Sequence, residues 1–303
     1  MLNPISVFGS INMDLVVYSS SKPSEGETVF GNKFETFLGG KGANQAIAAS
    51  RLGSAVSFIG KVGNDFFGKT LIKKLEDENI DTDLLQIHDG ESGVALINVF
   101  ENTSQNQIIV VPGANAQARS DQITDSDLDC IEVLISQLEV NYEEIEKLFL
   151  RAARRGSYKI LNVAPAMELK KSLFDETDLF IVNEVELEAL SKEPLKSYDI
   201  DTIKSSVESI PFTKNQSIVV TLGSKGVFVS QNRQNEYIKG HKVDALDTTG
   251  SGDCFIGALA SRLLENDDLF TATHFANKAA SLSVTKRGAS SSMPTMQEVV
   301  NFF

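Results

Sequence analysis

From Ala43 onward, short apolar segments alternate with longer segments of helical periodicity, and this alternation constrains the fold more than any other feature. The predicted strands lie at residues 56–62, 131–137, 159–163, 179–182 and 217–221. The predicted helices lie at residues 43–52, 69–78, 142–155, 184–191 and 252–264. Strands separated by helices in this way pair in parallel and are covered on both faces. The sequence therefore predicts an α/β fold with a doubly wound, mostly parallel sheet.

Two segments depart from this alternation. Residues 14–18 with 27–37, and residues 93–100 with 106–111, are predicted to form hairpin-like strands without intervening helices. Residues 94–100 are apolar on both alternating faces apart from Asn98, whereas a strand that faces solvent has one polar face. We therefore predict a small β-sheet lid over roughly residues 12–37 and 92–111, with substrate on one side and a second subunit on the other. The alternative is that these strands belong to the main sheet.

Length, charge and cysteine content exclude several classes of protein. The 303 residues suffice for one large α/β domain or two smaller ones, and the net charge of −13 argues against a nucleic-acid or anionic-membrane surface. Cys130 and Cys254 provide no disulfide framework, and the scattered histidines lack the spacing of a zinc site. The N-terminus does not resemble a signal peptide, and no segment approaches the length of a membrane span. We expect a cytoplasmic protein.

Residues 247–253, Asp-Thr-Thr-Gly-Ser-Gly-Asp, lead into the apolar run 254–259. The glycines that flank Ser251 let backbone N–H groups converge at the start of a helix, where free amides and the helix dipole bind anions. A carboxylate at the same place, Asp253, is unfavourable for anion binding alone. It suits the removal of a proton from a hydroxyl that attacks a phosphoryl group. The alternative is an aspartate that caps a helix after an ordinary glycine turn.

Two more glycine-containing turns carry polar side chains. Residues 39–46, Gly-Gly-Lys-Gly-Ala-Asn-Gln-Ala, allow close backbone approach to a ligand, and Lys41 and Asn44 are suited to bind hydroxyls or phosphate. Residues 9–14, Gly-Ser-Ile-Asn-Met-Asp, follow a predicted strand at 5–8 and place Asn12 and Asp14 where open α/β sheets bind ligands. An aspartate there can accept two vicinal sugar hydroxyls. Both runs are also compatible with plain turns.

Residues 63–70, Gly-Asn-Asp-Phe-Phe-Gly-Lys-Thr, fit the P-loop pattern letter for letter, with a predicted strand before and a helix after. However, the run contains an acid and two phenylalanines, where a phosphate cradle favours small residues and bare amides. No strand that ends in a partner Mg²⁺-binding aspartate follows. We therefore interpret the match at Lys69 and Thr70 as chance.

In their order along the chain, these runs resemble the ribokinase family of sugar kinases, the phosphofructokinase-B-type group. The resemblance rests on residues 9–14, 26–29, 39–46, 62–65 with Gly68, 183–186 and 247–253, and it covers essentially the whole chain. Residues 39–46 are similar to the ribose branch in particular. The family implies that residues 1–303 form a single ribokinase-like, three-layer αβα domain with the small β-sheet lid.

The resemblance also implies roles for individual residues. Asp253 resembles the catalytic base, and Gly250, Ser251 and Gly252 resemble an anion hole for the transferring phosphoryl group. The implied sugar-binding residues are Asn12, Asp14, Gly40, Lys41, Asn44, Glu139 and Asp253. The implied ATP-binding residues are Asn183, Thr221, Gly223, Gly226, Gly252 and Asn277. The implied metal-binding residues are Asp247, Thr249, Ser283, Lys286, Gly288 and Ser292 for a monovalent cation such as K⁺, and Glu186 for Mg²⁺ through water.

Simpler roles exist for some of these residues taken singly. Glu139 near a strand end is compatible with a salt-bridge partner, Asn183 with a helix cap and Asp247 with the start of a turn. Ser251 departs from the family, where alanine is usual at this position, but its backbone amide is unchanged. Only the joint order of the motifs along the chain favours the kinase interpretation.

The reaction that the resemblance implies is ATP-dependent phosphorylation of D-ribose at O5 by a homodimer, with the lid excluding water. We expect Asp253 to be ionised at neutral pH and to accept the proton late, as the bond to phosphorus forms. A 2-deoxyribose kinase is the first alternative, and an adenosine or fructose-phosphate kinase a weaker one. Outside these enzymes, the alternatives are a catalytically silent sugar-binding regulator and a P-loop NTPase.

Overall fold

The structure is a computed structural model that describes residues 2–103 and 105–302. Its strands are β1 (Ile5–Phe8), β2 (Asn12–Ser19), β3 (Gly31–Gly39), β4 (Val56–Gly63), β5 (Ile80–Asp81), β6 (Leu85–His88), β7 (Gly93–Phe100), β8 (Gln105–Val111), β9 (Val133–Gln137), β10 (Tyr158–Asn162), β11 (Leu179–Val182), β12 (Ser217–Thr221), β13 (Gly226–Gln231) and β14 (Gln234–Lys239). Its helices are α1 (Lys41–Arg51), α2 (Phe66–Asp77), α3 (Asp125–Leu128), α4 (Tyr142–Ala153), α5 (Lys171–Glu176), α6 (Glu184–Ser191), α7 (Ile200–Ser209), α8 (Ser251–Leu264), α9 (Leu269–Ser283) and α10 (Met296–Asn301).

Ten of the described strands form the main sheet, in the order β14-β13-β12-β11-β10-β9-β1-β4-β5, with β6 beside β4. The pairs from β12 through β1 to β5, and the pair of β6 with β4, are parallel. Only the hairpin of β13 and β14 adds antiparallel strands at one edge. The prediction of a mostly parallel sheet is therefore confirmed.

Helices cover both faces of this sheet because alternate strand residues point to opposite sides. In β1, Ile5 and Val7 pack into a core formed with α1, α2, α8 and α9, whereas Phe8 packs into a second core formed with α4, α6 and α7. The doubly wound, three-layer prediction is confirmed. Helices α7 and α9 and the β13–β14 hairpin were not among the predicted elements.

Strands β3, β2, β7 and β8 form a separate four-stranded sheet in that order, so the alternative that they belong to the main sheet is wrong. Two antiparallel hairpins, β2–β3 and β7–β8, are joined by parallel pairing of β2 with β7. Strand β3 begins at Gly31, later than predicted. Glu27 forms a turn instead, in which its amide donates to the Ser24 carbonyl and its carboxylate accepts from the Ser24 amide.

Strand β1 marks the point where the chain changes direction across the sheet, because it pairs with β4 on one side and with β9 on the other. In open α/β sheets, ligands bind beyond the carboxyl ends of the strands at such a point. The segments that follow β1 and β9 carry Asn12 and Glu139. In the described part of the chain, no helix is both long and apolar enough to span a bilayer.

Candidate active site

The start of α8 brings a carboxylate to the end of a helix that no side chain caps. Gly250 adopts φ 74°, a left-handed conformation that glycine tolerates, and an added Cβ there would lie 3.0 Å from Ala289. Asp253 lies in the first turn and is buried, with its carboxylate oxygens accepting from Asn44 Nδ2 and Gln45 Nε2 at 3.0 Å each. The two amide donors therefore fix the orientation of the carboxylate, which has little exposed surface.

The residues predicted to form an anion hole lie at the wall of two adjoining cavities. A small cavity of about 130 Å³ is bounded by Gly250 and Gly252, and a larger one of about 910 Å³ by Ser251 and Gly252. The Ser251 amide donates to the Thr248 carbonyl at 3.2 Å, so it takes part in the turn itself. An added Cβ on Gly252 would meet no atom within 4 Å, which leaves open space in front of the helix start.

The predicted sugar-binding residues converge from three parts of the chain. Asn12 and Asp14 lie on β2, Lys41 and Asn44 begin α1, and Glu139 follows β9. Gly40 precedes α1 so closely packed against β2 that an added Cβ would lie 2.9 Å from the Asn12 nitrogen. The structure thus brings the whole predicted set together.

The charges of this cluster are strongly coupled. Burial, followed by the charges of Glu139 and Asp253, raises the pKa of Asp14 to about 7. Burial also raises the pKa of Asp253, against the opposing effects of Lys41 and the two amide donors. Burial disfavours the Lys41 cation, but the charges of Asp253, Glu139 and Glu186 outweigh it and raise the pKa of Lys41. Lys41 therefore stays charged among the carboxylates.

Two residues that sequence reasoning missed hold side chains of the predicted sugar-binding set in place. Ser10 Oγ donates to Glu139 Oε2 at 2.6 Å, and Asn115 Nδ2 donates to Asn12 Oδ1 at 2.7 Å. Ser10 lies within the glycine-containing run that follows β1, but Asn115 lies in a short 3-10 helix, Gly113–Gln117, whose sequence carries no recognised motif. Among the described residues, the buried Asn44 Oδ1 has no hydrogen-bond partner, so it is an acceptor that a ligand hydroxyl can satisfy.

The larger cavity contains the predicted ATP-binding residues. Thr221 ends β12, Gly223 and Gly226 form the turn into β13, and Asn277 lies on α9 with its Nδ2 donating to the Lys239 carbonyl at 2.9 Å. All four line the cavity together with Asn183. The two cavities share Asn183, Thr221 and Gly252, so a ligand in the larger one can reach Asp253.

Asn183 and Glu186 form a capping box at the start of α6. Asn183 Oδ1 accepts from the Glu186 amide at 2.9 Å, and Glu186 Oε2 accepts from the Asn183 amide at 2.8 Å. Asn183 is therefore a helix cap, as one interpretation predicted. Both residues also line the small cavity, and burial raises the pKa of the Glu186 carboxyl.

The residues predicted to bind a monovalent cation lie behind the helix start. Asp247 Oδ1 accepts from the Thr249 amide and Oδ2 from the Gly288 amide, at 2.9 Å each. Burial opposes the charge of Asp247, but hydrogen bonds from the Thr249 hydroxyl and from these two amides lower its pKa. The remaining residues of the set, at the end of α9 and in the following loop, are Ser283, Lys286 and Ser292. Asp247 thus joins this loop to the turn that opens α8.

Three buried amide side chains around Asp253 were not predicted as site residues: Gln45, Gln137 and Asn162. A signal for Gln45 exists in the sequence. Residues 43–49 are otherwise alanine or isoleucine, so two adjacent amides, Asn44 and Gln45, are unusual in this helix. Gln137 and Asn162 end buried strands, and only the sheet order shows that they are neighbours.

Known proteins are similar to this chain over nearly its whole length. The model of the pfkB family of carbohydrate kinases matches residues 3–296. The chain is 37% identical over 311 residues to the ribokinase of Haemophilus influenzae, covering 100% of the chain and 99% of that protein. It is 36% identical over 298 residues to the deoxyribokinase of Salmonella typhi, covering 97% and 96%. The structure of Arabidopsis thaliana ribokinase complexed with ribose and ATP is similar, with a TM-score of 0.89, 30% identity and coverage of 100% and 99%.

Proposed function

The chain belongs to the pfkB family of carbohydrate kinases and is an ATP-dependent sugar kinase of the ribokinase type; we propose that it phosphorylates D-ribose at O5. The products would be ribose 5-phosphate and ADP. The observation that carries the proposal is the position of Asp253, a buried carboxylate in the wall of the small cavity, which adjoins the larger cavity predicted to hold ATP. A sugar hydroxyl beside Asp253 would lie within reach of the terminal phosphate of ATP.

In the proposed step, Asp253 accepts the proton of the ribose hydroxyl as the oxygen attacks the γ-phosphorus. The new oxygen–phosphorus bond forms while the bond to the bridging oxygen of ADP breaks, and ADP leaves with that electron pair. The amide of Gly252, the dipole of α8 and the Lys41 cation stabilise the charge on the transferring group. Closure of the proposed lid over the sugar would keep water from competing with the sugar at Asp253.

The polar cluster around Asp253 suits the other hydroxyls of a pentose. The ionised Asp14 carboxylate accepts from two vicinal hydroxyls, and the unpartnered Asn44 Oδ1 accepts from a third. Glu139, held by Ser10, provides a further acceptor. A sugar that lacks one of these hydroxyls would leave a buried acceptor unpaired and would bind more weakly.

Two metal ions belong to this proposal. Glu186, with Asn183, would hold Mg²⁺ through water, since a buried carboxylate oxygen at the wall of the small cavity suits this cation. When bound, Mg²⁺ neutralises charge on the phosphates of ATP. A monovalent cation such as K⁺ would lie in the loop behind Gly250, which Asp247 ties to Gly288. The low pKa of Asp247 keeps a negative charge there for the cation.

Domain organisation, assembly and location complete the proposal. We propose that residues 1–303 act as a single ribokinase-like domain whose lid comprises roughly residues 12–37 and 92–111. Strand β8 at the edge of the small sheet is exposed along its length, and its apolar Ile108 and Ile109 favour a homodimer formed through the lid. We also retain the cytoplasmic location expected from the sequence.

The test of the substrate is a panel of pentoses and nucleosides with ATP, measured as ADP formed with and without K⁺. We expect D-ribose to give the highest kcat/KM and K⁺ to raise the rate. The second candidate is 2-deoxyribose, since one relative is a deoxyribokinase. A higher kcat/KM with 2-deoxyribose would show that 2-deoxyribose, not ribose, is the substrate. Equal rates in Na⁺, K⁺ and a bulky organic cation would contradict the proposed cation site.

The test of the base is Asp253→Asn, which keeps the side chain's shape but cannot accept the proton. We expect phosphoryl transfer to be lost while ATP binding, measured by calorimetry, persists. Retention of more than about one hundredth of the wild-type kcat would contradict the assignment of Asp253 as base.

A further inference from the structure

Behind Asp253 lies a chain of buried amide side chains, Gln137, Gln45 and Asn162, which we call the amide relay. Gln45 Nε2 donates to Asp253 Oδ1 at 3.0 Å and to Asn162 Oδ1 at 3.3 Å. Gln45 Oε1 in turn accepts from Gln137 Nε2 at 2.6 Å. Gln45 and Gln137 are 0% exposed and Asn162 is 6% exposed, so water does not compete for these contacts.

The relay has a defined direction. An amide can present either its oxygen or its nitrogen, and a flipped Gln45 would place its oxygen against a carboxylate oxygen. Gln137 opposes this flip because its Nε2 donates to Gln45 Oε1, and a flipped Gln45 would place its own Nε2 against that donor. Asn162 fixes the other side, because its Nδ2 donates to the Ile181 carbonyl at 3.1 Å and leaves its oxygen for Gln45. Both Gln45 N–H groups are therefore used, and one of them points at Asp253.

Packing alone does not explain Gln137. Among the described residues, its buried Oε1 has no hydrogen-bond partner, and an unpaired buried polar atom costs about 1–3 kcal/mol. An apolar side chain would avoid that cost. The glycine at position 9 leaves the space that the Gln137 amide occupies, because a Cβ added to Gly9 would lie only 2.2 Å from Gln137 Oε1. The other end of the amide, Nε2, donates a hydrogen bond to Gln45. This hydrogen bond is what an apolar side chain at position 137 would lose.

We propose that Gln45 is a positioning residue, oriented by Gln137, that holds the Asp253 carboxylate in the orientation that receives the sugar's proton. The inference rests on the proposed role of Asp253 as the base. Gln45 contacts Oδ1 and Asn44 contacts Oδ2, so the carboxylate plane is fixed from two directions. Asn44 also lies in the predicted sugar site, whereas Gln45 is buried, and among the predicted site residues its side chain hydrogen-bonds only Asp253.

The relay also affects the charge of the base. Burial raises the pKa of Asp253, whereas Lys41, Asn44 and Gln45 oppose that rise. The other ionisable groups that interact with Asp253 are Glu139, Asp14, Glu186 and Cys254. A substitution at Gln45 changes none of these groups. Loss of the Gln45 N–H donor therefore lets burial raise the pKa of Asp253 further. The carboxylate is then protonated at higher pH.

The experiment compares Gln45→Leu and Gln137→Leu in the full chain. For Gln45→Leu we expect kcat to fall by about 10–100-fold, with KM for ATP and ribose within about threefold of wild type. We also expect the acid limb of the kcat–pH profile to move to higher pH. Gln137→Leu leaves Gln45 in place but free to flip, so both effects should have the same direction and be smaller.

A matched control is Gln216→Leu, another buried glutamine, whose Nε2 donates to the carbonyls of Phe174 and Thr177. It should lower the Tm without moving the pH profile. If Gln45→Leu lowers the Tm likewise but leaves kcat and the acid limb unchanged, the proposal is wrong. If Gln45→Leu does not fold, an unchanged pH profile in Gln137→Leu overturns it. An active Asp253→Asn would instead contradict the base assignment itself.

Discussion

At the scale of single residues, the charge of Asp14 depends on the carboxylates beside it. Its carboxylate lies near those of Glu139 and Asp253, and burial together with these two charges raises its pKa to about 7. An ordinary aspartate would be ionised throughout the physiological range. Asp14 therefore changes its charge close to neutral pH, and only the ionised form can accept from two sugar hydroxyls.

This position predicts a pH-dependent affinity for the sugar. As the pH falls from about 8 to about 6, the ionised fraction of a group with a pKa near 7 falls about tenfold, so KM for ribose should rise about tenfold. In Asp14→Asn, KM should be high and nearly constant over this range. Initial rates at saturating ATP measure both. If the KM of the unaltered protein is constant over these pH values and equal to that of Asp14→Asn, Asp14 binds no hydroxyl.

At the scale of elements, the residues that match the P-loop pattern have a structural role at the start of α2. Asp65 caps the helix by accepting from the Gly68 amide at 2.6 Å. Its carboxylate also accepts from the Ser92 amide, which lies outside the helix, at 2.8 Å. Ser92 Oγ donates to the same carboxylate and accepts from the Gly63 amide. The amides of Gly63, Asn64 and Gly68 are thus hydrogen-bonded within the protein, and Lys69 is exposed. The motif instead joins α2 to the segment from which β7 enters the lid.

We therefore expect Asp65→Ala to lower the free energy of unfolding by about 0.5–2 kcal/mol, the usual effect of losing a helix cap. KM for the sugar should also rise, because Ser92 directly precedes the lid strand β7. Lys69→Ala should change neither quantity. Urea unfolding and steady-state kinetics of the two variants provide the measurement, and a large loss of kcat in Lys69→Ala would revive the P-loop interpretation.

At the scale of the whole molecule, the small sheet leaves apolar surface uncovered. Ile108 and Ile109, which point to opposite faces of β8, are 52% and 61% exposed, and Leu96 opposite Ile109 on β7 is 43% exposed. Adjacent exposed apolar residues on an edge strand commonly mark an interface. This exposed apolar surface of the small sheet is available for the proposed second subunit.

If the lid forms the proposed homodimer, the double substitution Ile108→Lys and Ile109→Lys should produce monomers in sedimentation experiments. Burying the four lysines that the two chains would then carry is costly. Val300→Lys, at a residue 58% exposed on α10, is the matched control and should leave the assembly unchanged. A wild-type protein that sediments as a monomer would contradict the proposed dimer.

The strands and helices of the main sheet were predictable because their signals are local. Residues 179–182, 184–191 and 217–221 match β11, α6 and β12 at both ends. Boundaries that depend on turns were less accurate: α2 begins three residues early because Asp65 caps it, and β3 begins late because Glu27 closes a turn with Ser24. Helix α9 was missed, although it lines the nucleotide cavity through Asn277.

The sequence by itself determined the alternation of strands and helices, the glycine turn before Asp253 and the membership of a kinase family, since each depends on neighbouring residues or on motif order. Only the tertiary structure decided which distant groups meet. It placed Gln45, Gln137 and Asn162 behind Asp253 and crowded Asp14 against two other carboxylates. Pairing across the sheet, burial and the resulting charge coupling depend on packing between segments far apart in the chain, and a linear pattern carries no record of that packing.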